Sequence, residues 1–114
     1  MRDLNETLKI LSSPVRRKVL VWLKDPFTAF HDQTQLYAFD VYGVCASLIQ
    51  EKAGLSQPAT SLCLKALSDQ GLVVATKVGK WTYYKRQDQQ LSAMLTELLV
   101  ELDVTCPSNT SITV

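Results

Sequence analysis

With 114 residues, 46% of them hydrophobic and 20% charged, the chain is sized for one globular domain and is too apolar to be disordered. Three widely spaced cysteines exclude a disulfide framework, and no signal-peptide pattern or membrane-length apolar run is present, so a soluble, cytoplasmic protein without membrane contact is expected. The net charge of +1 hides an asymmetry: residues 1–86 hold all 12 Lys and Arg against seven acids, and residues 87–114 hold four acids and no base, which suits contact with a polyanion on one side.

The first predicted element is a short helix in which Leu4, Leu8 and Leu11 stand at i, i+4 and i+7. So short a helix needs something to lie on. Ser13-Pro14 restarts the chain, with Ser13 as N-cap and Pro14 at the first helical position. Val15, Val19, Leu20 and Leu23 give this second helix a buried face, Arg16, Arg17 and Lys18 a wet one, and Asp25-Pro26 stops it. Residues 26–43 follow no period, yet they hold five of the nine aromatics (Phe27, Phe30, Tyr37, Phe39, Tyr42) and the only histidine, His31. A stretch that long is either functional or structured in a way periodicity does not reveal. A flap held on the body by its aromatics is expected, with an effector-binding lid as the alternative.

A third helix is predicted over Val44–Lys52, with Val44, Leu48 and Ile49 inward and Gly54 ending it. A turn of about three residues then leads to a helix over Ser56–Gln70, the spacing of a helix-turn-helix. Ser56 is its N-cap, Pro58 falls in its first turn, and Gly71 followed by Leu72 supplies a left-handed end. At 100° per residue Thr60, Leu64 and Leu67 share one face with Cys63 beside them, and Pro58, Ser61, Leu62, Lys65 and Asp69 share the other. That second face is small and polar with one cation, which suits a helix lying in a nucleic-acid groove. Past Gly71 the period changes from 3.6 to 2, and Leu72–Lys77 and Trp81–Arg86 read as a hairpin turning at Gly79-Lys80. Lys77, Lys80, Lys85 and Arg86 crowd it, and Trp81, Tyr83 and Tyr84 stiffen it. Leu91, Leu95, Leu98 and Leu102 then form a stripe over Leu91–Leu102, widened by Met94 and Leu99, that wants a partner. A Ser/Thr-rich tail over 103–114 is expected to fray. The domain proper is 1–102, mainly α with a small β-hairpin.

Helix, helix, helix, recognition helix, basic hairpin, helix is the order of a winged helix-turn-helix (α-α-α-α-β-β-α). Five segments, 11–17, 54–58, 64–67, 71–73 and 79–84, together resemble the ArsR-type (arsenic-repressor-like) family of regulators over about residues 4–102, apart from 26–43. The resemblance implies a homodimeric bacterial transcription regulator, acting as a repressor on an inverted-repeat operator in double-stranded DNA. It implies a dimer interface of terminal helices, here Leu4, Leu8, Leu11, Leu91, Met94, Leu95, Leu98 and Leu102. Base edges would face Gln57, Ser61, Leu62 and Lys65 beside Pro58, and phosphates would face Ser56, Lys77, Lys80 and Lys85.

The chain also departs from that family. A Cys-x-Cys ligand pair falls on Cys45-Ala46-Ser47, where the second thiol is missing, and a soft metal or As(III) needs two or three thiolates. No histidine follows His31, so a histidine-carboxylate set on the last helix is absent, and no metal or cofactor is expected. A thiol-redox or metalloid response through Cys45, Cys63 and Cys106 is the alternative, and a winged helix used only for protein contacts is a further one. The Arg-His pair usual on the recognition helix is Leu62-Cys63 here, which implies an operator less dependent on guanine. No nucleophile and base stand at a catalytic spacing, so an enzyme is not expected.

Overall fold

Local signals set most helix ends in the computed structural model, which describes residues 3–35 and 37–105. Helix α1 (Leu4–Leu11) and α2 (Pro14–Lys24) meet at Ser13, whose side chain caps α2 by accepting from the Arg16 N–H at 3.3 Å. Two one-turn helices follow, α3 (Pro26–Ala29) and α4 (Phe39–Tyr42), then strand β1 (Val44–Cys45) and α5 (Ala46–Ala53). Helix α6 (Gln57–Asp69), strands β2 (Val73–Val78) and β3 (Trp81–Arg86), and α7 (Asp88–Glu101) complete the order. The sheet runs β1-β3-β2, antiparallel throughout, with Val44 opposite Tyr84 and Ala75 opposite Tyr84 on the other side.

The core joins α2 to the helix-turn-helix. Val19, Leu20 and Leu23 from α2 meet Ile49 of α5, Leu64 and Leu67 of α6, and Leu72 and Val73 at the start of the wing. Each such side chain contributes roughly 1.5–3 kcal/mol by leaving water, so α6 is held chiefly by this face. Its C-terminus is fixed as well. Gly71 takes φ 74°, the Gly71 N–H donates to Ser68 C=O at 2.9 Å and the Leu72 N–H to Leu67 C=O at 3.0 Å, closing a Schellman motif. Gln70 is buried at the same end, and its Oε1 accepts from Thr7 Oγ1 (3.1 Å) and the Asp3 N–H (3.3 Å). That polar pair fastens α1 to the end of α6 without leaving a buried group unpartnered.

The sheet and the starts of two helices differ from the sequence expectations. Val44 and Cys45 are not the first turn of a helix but a short strand on β3, and α5 begins at Ala46. The helical spacing of Val44, Leu48 and Ile49 misleads here because Val44 and Ile49 are both buried, one from a strand and one from a helix. The hairpin is therefore the major part of a three-stranded sheet. Helix α7 begins at Asp88 rather than Leu91, since Asp88 favours a first turn.

The 26–43 segment is ordered by aromatic packing. Phe30 is fully buried and meets Trp22 edge-on at 6.4 Å and Phe39 at 6.2 Å, while Tyr37 and Tyr42 pack on Tyr83 of β3 at 5.7 and 6.1 Å. Gln35 fastens the segment to the free edge of β1. Its Nε2 donates to Gly43 C=O (2.7 Å) and its Oε1 accepts from the Cys45 N–H (2.8 Å), so a side chain stands where another strand would pair. The expected flap is thus a packed cover with two helical turns. Past α7, Asp103 takes φ 56°, and the Val104 N–H donates to Leu99 C=O at 3.0 Å. The first tail residues therefore finish the helix. Cys106 and the rest of the expected frayed tail lie outside the described residues.

Candidate nucleic-acid interface

Helix α6 divides cleanly into two faces. Thr60, Cys63, Leu64 and Leu67 are buried, and Gln57, Pro58, Ser61, Leu62, Lys65 and Asp69 are exposed. Ser56 caps the N-terminus by accepting from the Ala59 N–H at 3.2 Å, and buried Thr60 donates its hydroxyl to Ser56 C=O at 2.9 Å. The exposed face thus carries side chains free to meet a ligand, mounted on a helix fixed at both ends. Leu62 is 68% exposed, an apolar group directed at open space. Lys65 pairs with Asp69 at 3.0 Å, and so exposed an i, i+4 pair is worth a few tenths of a kcal/mol and yields readily to a phosphate or a base.

An open cleft of about 470 Å³ lies between α6, the start of α5 and the wing. Gln57, Ser61 and Lys65 line it from one side and Lys80 from the other, so the fold brings together four of the expected contacts. Ser47, Gln50, Trp81 and Thr82 line it too, contacts that helical spacing and hairpin pattern do not disclose. Their position follows from where α5 and β3 begin, which only the assembled sheet determines. Lys80 Nζ stands 5.4 Å from the Trp81 ring centre, an exposed cation held against an aromatic face at the hairpin turn. Lys77 is exposed on β2 outside the cleft, and Ser56, Pro58 and Leu62 present themselves along the outer side of α6. Lys85 is separated from the rest. It lies at the root of β3 and donates to Asp40 C=O at 3.0 Å.

Of the sensor candidates, Cys45 and Cys63 are buried. Cys45 accepts a hydrogen bond from Ser47 Oγ at 3.3 Å, and Cys63 packs in the core beside Arg16. Burial pushes the Cys63 thiol up, only partly opposed by the Arg16 guanidinium, the reverse of what thiolate chemistry asks. Among the described residues no three of His, Cys, Asp and Glu gather as a metal site would require.

The residues expected at a dimer interface fall into two sets. Leu4 and Met94 are buried within the single chain, and Leu11 and Leu91 pack on the core, because α1 lies against α7. Leu8, Leu95 and Leu102 stay exposed, with Leu98 half-buried between them. No helix among the described residues is long and apolar enough to cross a membrane.

Comparison with known proteins agrees with this geometry. No family model matches the chain. A curated relative, the uncharacterized HTH-type transcriptional regulator YbzH of Bacillus subtilis (strain 168), is 34% identical over 99 residues, covering 85% of this chain and 96% of its own. Among solved structures, an ArsR-like transcriptional regulator from Rhodococcus sp. RHA1 superposes with a TM-score of 0.59 at 22% identity, over 88% of this chain and 78% of its own. A possible transcriptional regulatory protein from Mycobacterium bovis (fragment 1–100) does so at 0.56 and 20%, over 85% and 88%. The chain belongs to the HTH-type transcriptional regulators, a non-enzymatic class, and it carries the ArsR-like winged-helix fold.

Proposed function

We propose that the protein is a homodimeric repressor that binds an inverted-repeat operator in double-stranded DNA, with α6 as the recognition helix and the β2–β3 hairpin as a phosphate-holding wing. The observation that carries this reading is the shared cleft: Gln57, Ser61 and Lys65 stand on the exposed face of α6 opposite Lys80. Gln57 has the donor–acceptor pair that matches adenine, and Leu62 is an apolar neighbour for a thymine methyl. Two copies of α6 would enter successive major grooves roughly 34 Å apart. The exposed Leu8, Leu95 and Leu102 supply an apolar surface on α1 and α7 for the second copy.

A fluorescence-anisotropy titration on duplex DNA at several salt concentrations tests the wing. Lys80→Ala should weaken binding about uniformly across sequences and reduce the slope of log K against log[salt] by about 0.9 per protomer, the loss of one phosphate contact. An unchanged slope would remove Lys80 from the interface.

A further inference from the structure

A second cavity, of about 300 Å³, opens between the end of α2, the aromatic stretch that follows it and the root of β3, sharing only Tyr84 with the groove-facing cleft. Its volume is at the small end of the range for small-molecule sites. Phe27, Phe39 and Tyr84 line it, with Phe27 and Phe39 edge-to-face at 5.5 Å and Phe27 left 57% exposed at the mouth.

The polar lining holds three cations, Lys24, Lys85 and Arg86, and three carboxylates, Asp25, Asp40 and Asp88. Lys24 and Arg86 share the single carboxylate of Asp88, Lys24 Nζ at 2.8 Å from Oδ2 and Arg86 Nε at 2.6 Å from Oδ1. The Arg86 Nε contact is an ion pair without directed hydrogen-bond geometry, and its Nη1 donates to the Leu20 carbonyl at 3.2 Å. Lys85, the third cation, donates only to the Asp40 carbonyl. Of the other two acids on the lining, Asp25 has both oxygens taken by Thr28, and Asp40 stands exposed at the rim. Lys24 and Arg86 therefore share one carboxylate beside a ring-lined hollow, with Lys85 held on a backbone carbonyl.

We propose that this cavity is a binding site for a small aromatic carboxylate, its ring between Phe27, Phe39 and Tyr84 and its carboxylate on Lys24, Lys85 and Arg86. A single ring fits the volume and finds edge and face partners there. A carboxylate gives the crowded cations a second acceptor, and such charge-assisted bonds are about twice as strong as neutral ones. The position is one from which occupancy reaches both working parts. The cavity wall includes Val44, which leads directly into α5, and β3, which leads back to Lys80 and Trp81. Asp88, on the same wall, opens α7. The site is independent of the DNA-binding reading, since its occupancy is measured on the protein alone.

The test is a ¹H–¹⁵N titration of the full chain with phenylacetate, run beside phenylacetamide and acetate. Saturable shifts in the millimolar range are expected at the amides of Phe27, Phe39, Val44, Tyr84, Lys85 and Arg86, with phenylacetamide about tenfold weaker and acetate weaker still. Phe27→Ala and Lys24→Gln, both at exposed positions and each checked for fold by its own spectrum, should weaken phenylacetate several-fold. Absence of saturable shifts, or shifts centred on α6 or α7, would overturn the site. Equal binding of acid and amide, or affinity unchanged in Lys24→Gln, would overturn its preference for an anion.

Discussion

Replacing Gly43 by alanine should be among the most damaging single changes in the chain, and the structure gives the reason in two parts. Gly43 has φ +93° and ψ −157°, a region all but reserved for glycine, where an L side chain costs about 1–3 kcal/mol. A Cβ there would lie 2.2 Å from the Tyr84 carbonyl oxygen and 2.6 Å from Lys85 Cγ. The lysine can move, but the carbonyl cannot, because Tyr84 is paired with Val44 on one side and Ala75 on the other. Relief requires β1 to lift off β3, losing hydrogen bonds worth about 0.5–1.5 kcal/mol each. Together these reach about 3–5 kcal/mol, a large share of the 5–15 kcal/mol typical of a small domain. The melting temperature should fall by roughly 10–20 °C. Gly54→Ala is the internal control: its φ is +68°, but nothing lies within 4 Å of the added carbon, so only the backbone cost of about 1–2 kcal/mol applies. Urea denaturation followed by circular dichroism compares the two. If Gly43→Ala cost no more than Gly54→Ala, the close packing of the 26–43 segment on β3 would be refuted.

Other consequences are as direct. The Lys24 ammonium hydrogen-bonded to Asp88, with the Arg86 charge nearby, holds this carboxyl below the usual aspartate value of about 3.9. Its stabilising contribution is therefore present above about pH 4 and lost as pH falls through the lowered folded-state value. The melting-temperature gap between the wild type and Asp88→Asn should close below about pH 4, and a gap that stays constant with pH would contradict the pairing. At the proposed dimer surface, Leu95→Lys places a charge on an exposed apolar position without disturbing the protomer core. Sedimentation velocity should show a folded monomer where the wild type is a dimer, and a wild-type monomer at micromolar concentration would end the dimer reading.

What the sequence disclosed and what it hid divide by the range of the interactions involved. Ser13-Pro14, Ser56 and Gly71 mark helix ends because a cap is settled by a few neighbouring residues, and the structure realises all three. Trp81–Arg86 is legible because alternation is a local property. Val44–Cys45 was not, since two residues become a strand only through pairing with Tyr83 and Tyr84 about forty places on. The aromatics of 26–43 show no period because they pack partly on one another and partly on Trp22 and Tyr83, brought together by the fold of the segment and not by one helix or strand face. On the groove-facing side, Gln57, Ser61 and Lys65 could be assigned to one helical face from spacing alone. Their meeting with Lys80, and the separation of Lys85 from both, depends on how the wing folds back. Leu4 and Met94 show the same limit: a stripe reveals apolar positions but not whether the partner is α7, the core or a second copy.

Selection from a pool of random duplexes tests the central claim most directly. The wild type should enrich an inverted repeat whose half-sites lie one helical turn apart, roughly 34 Å. Gln57→Ala should relax the preference at one position of each half-site while leaving the repeat intact. Failure to enrich any repeat, or an identical sequence preference from wild type and Gln57→Ala, would contradict α6 as the element that reads the DNA.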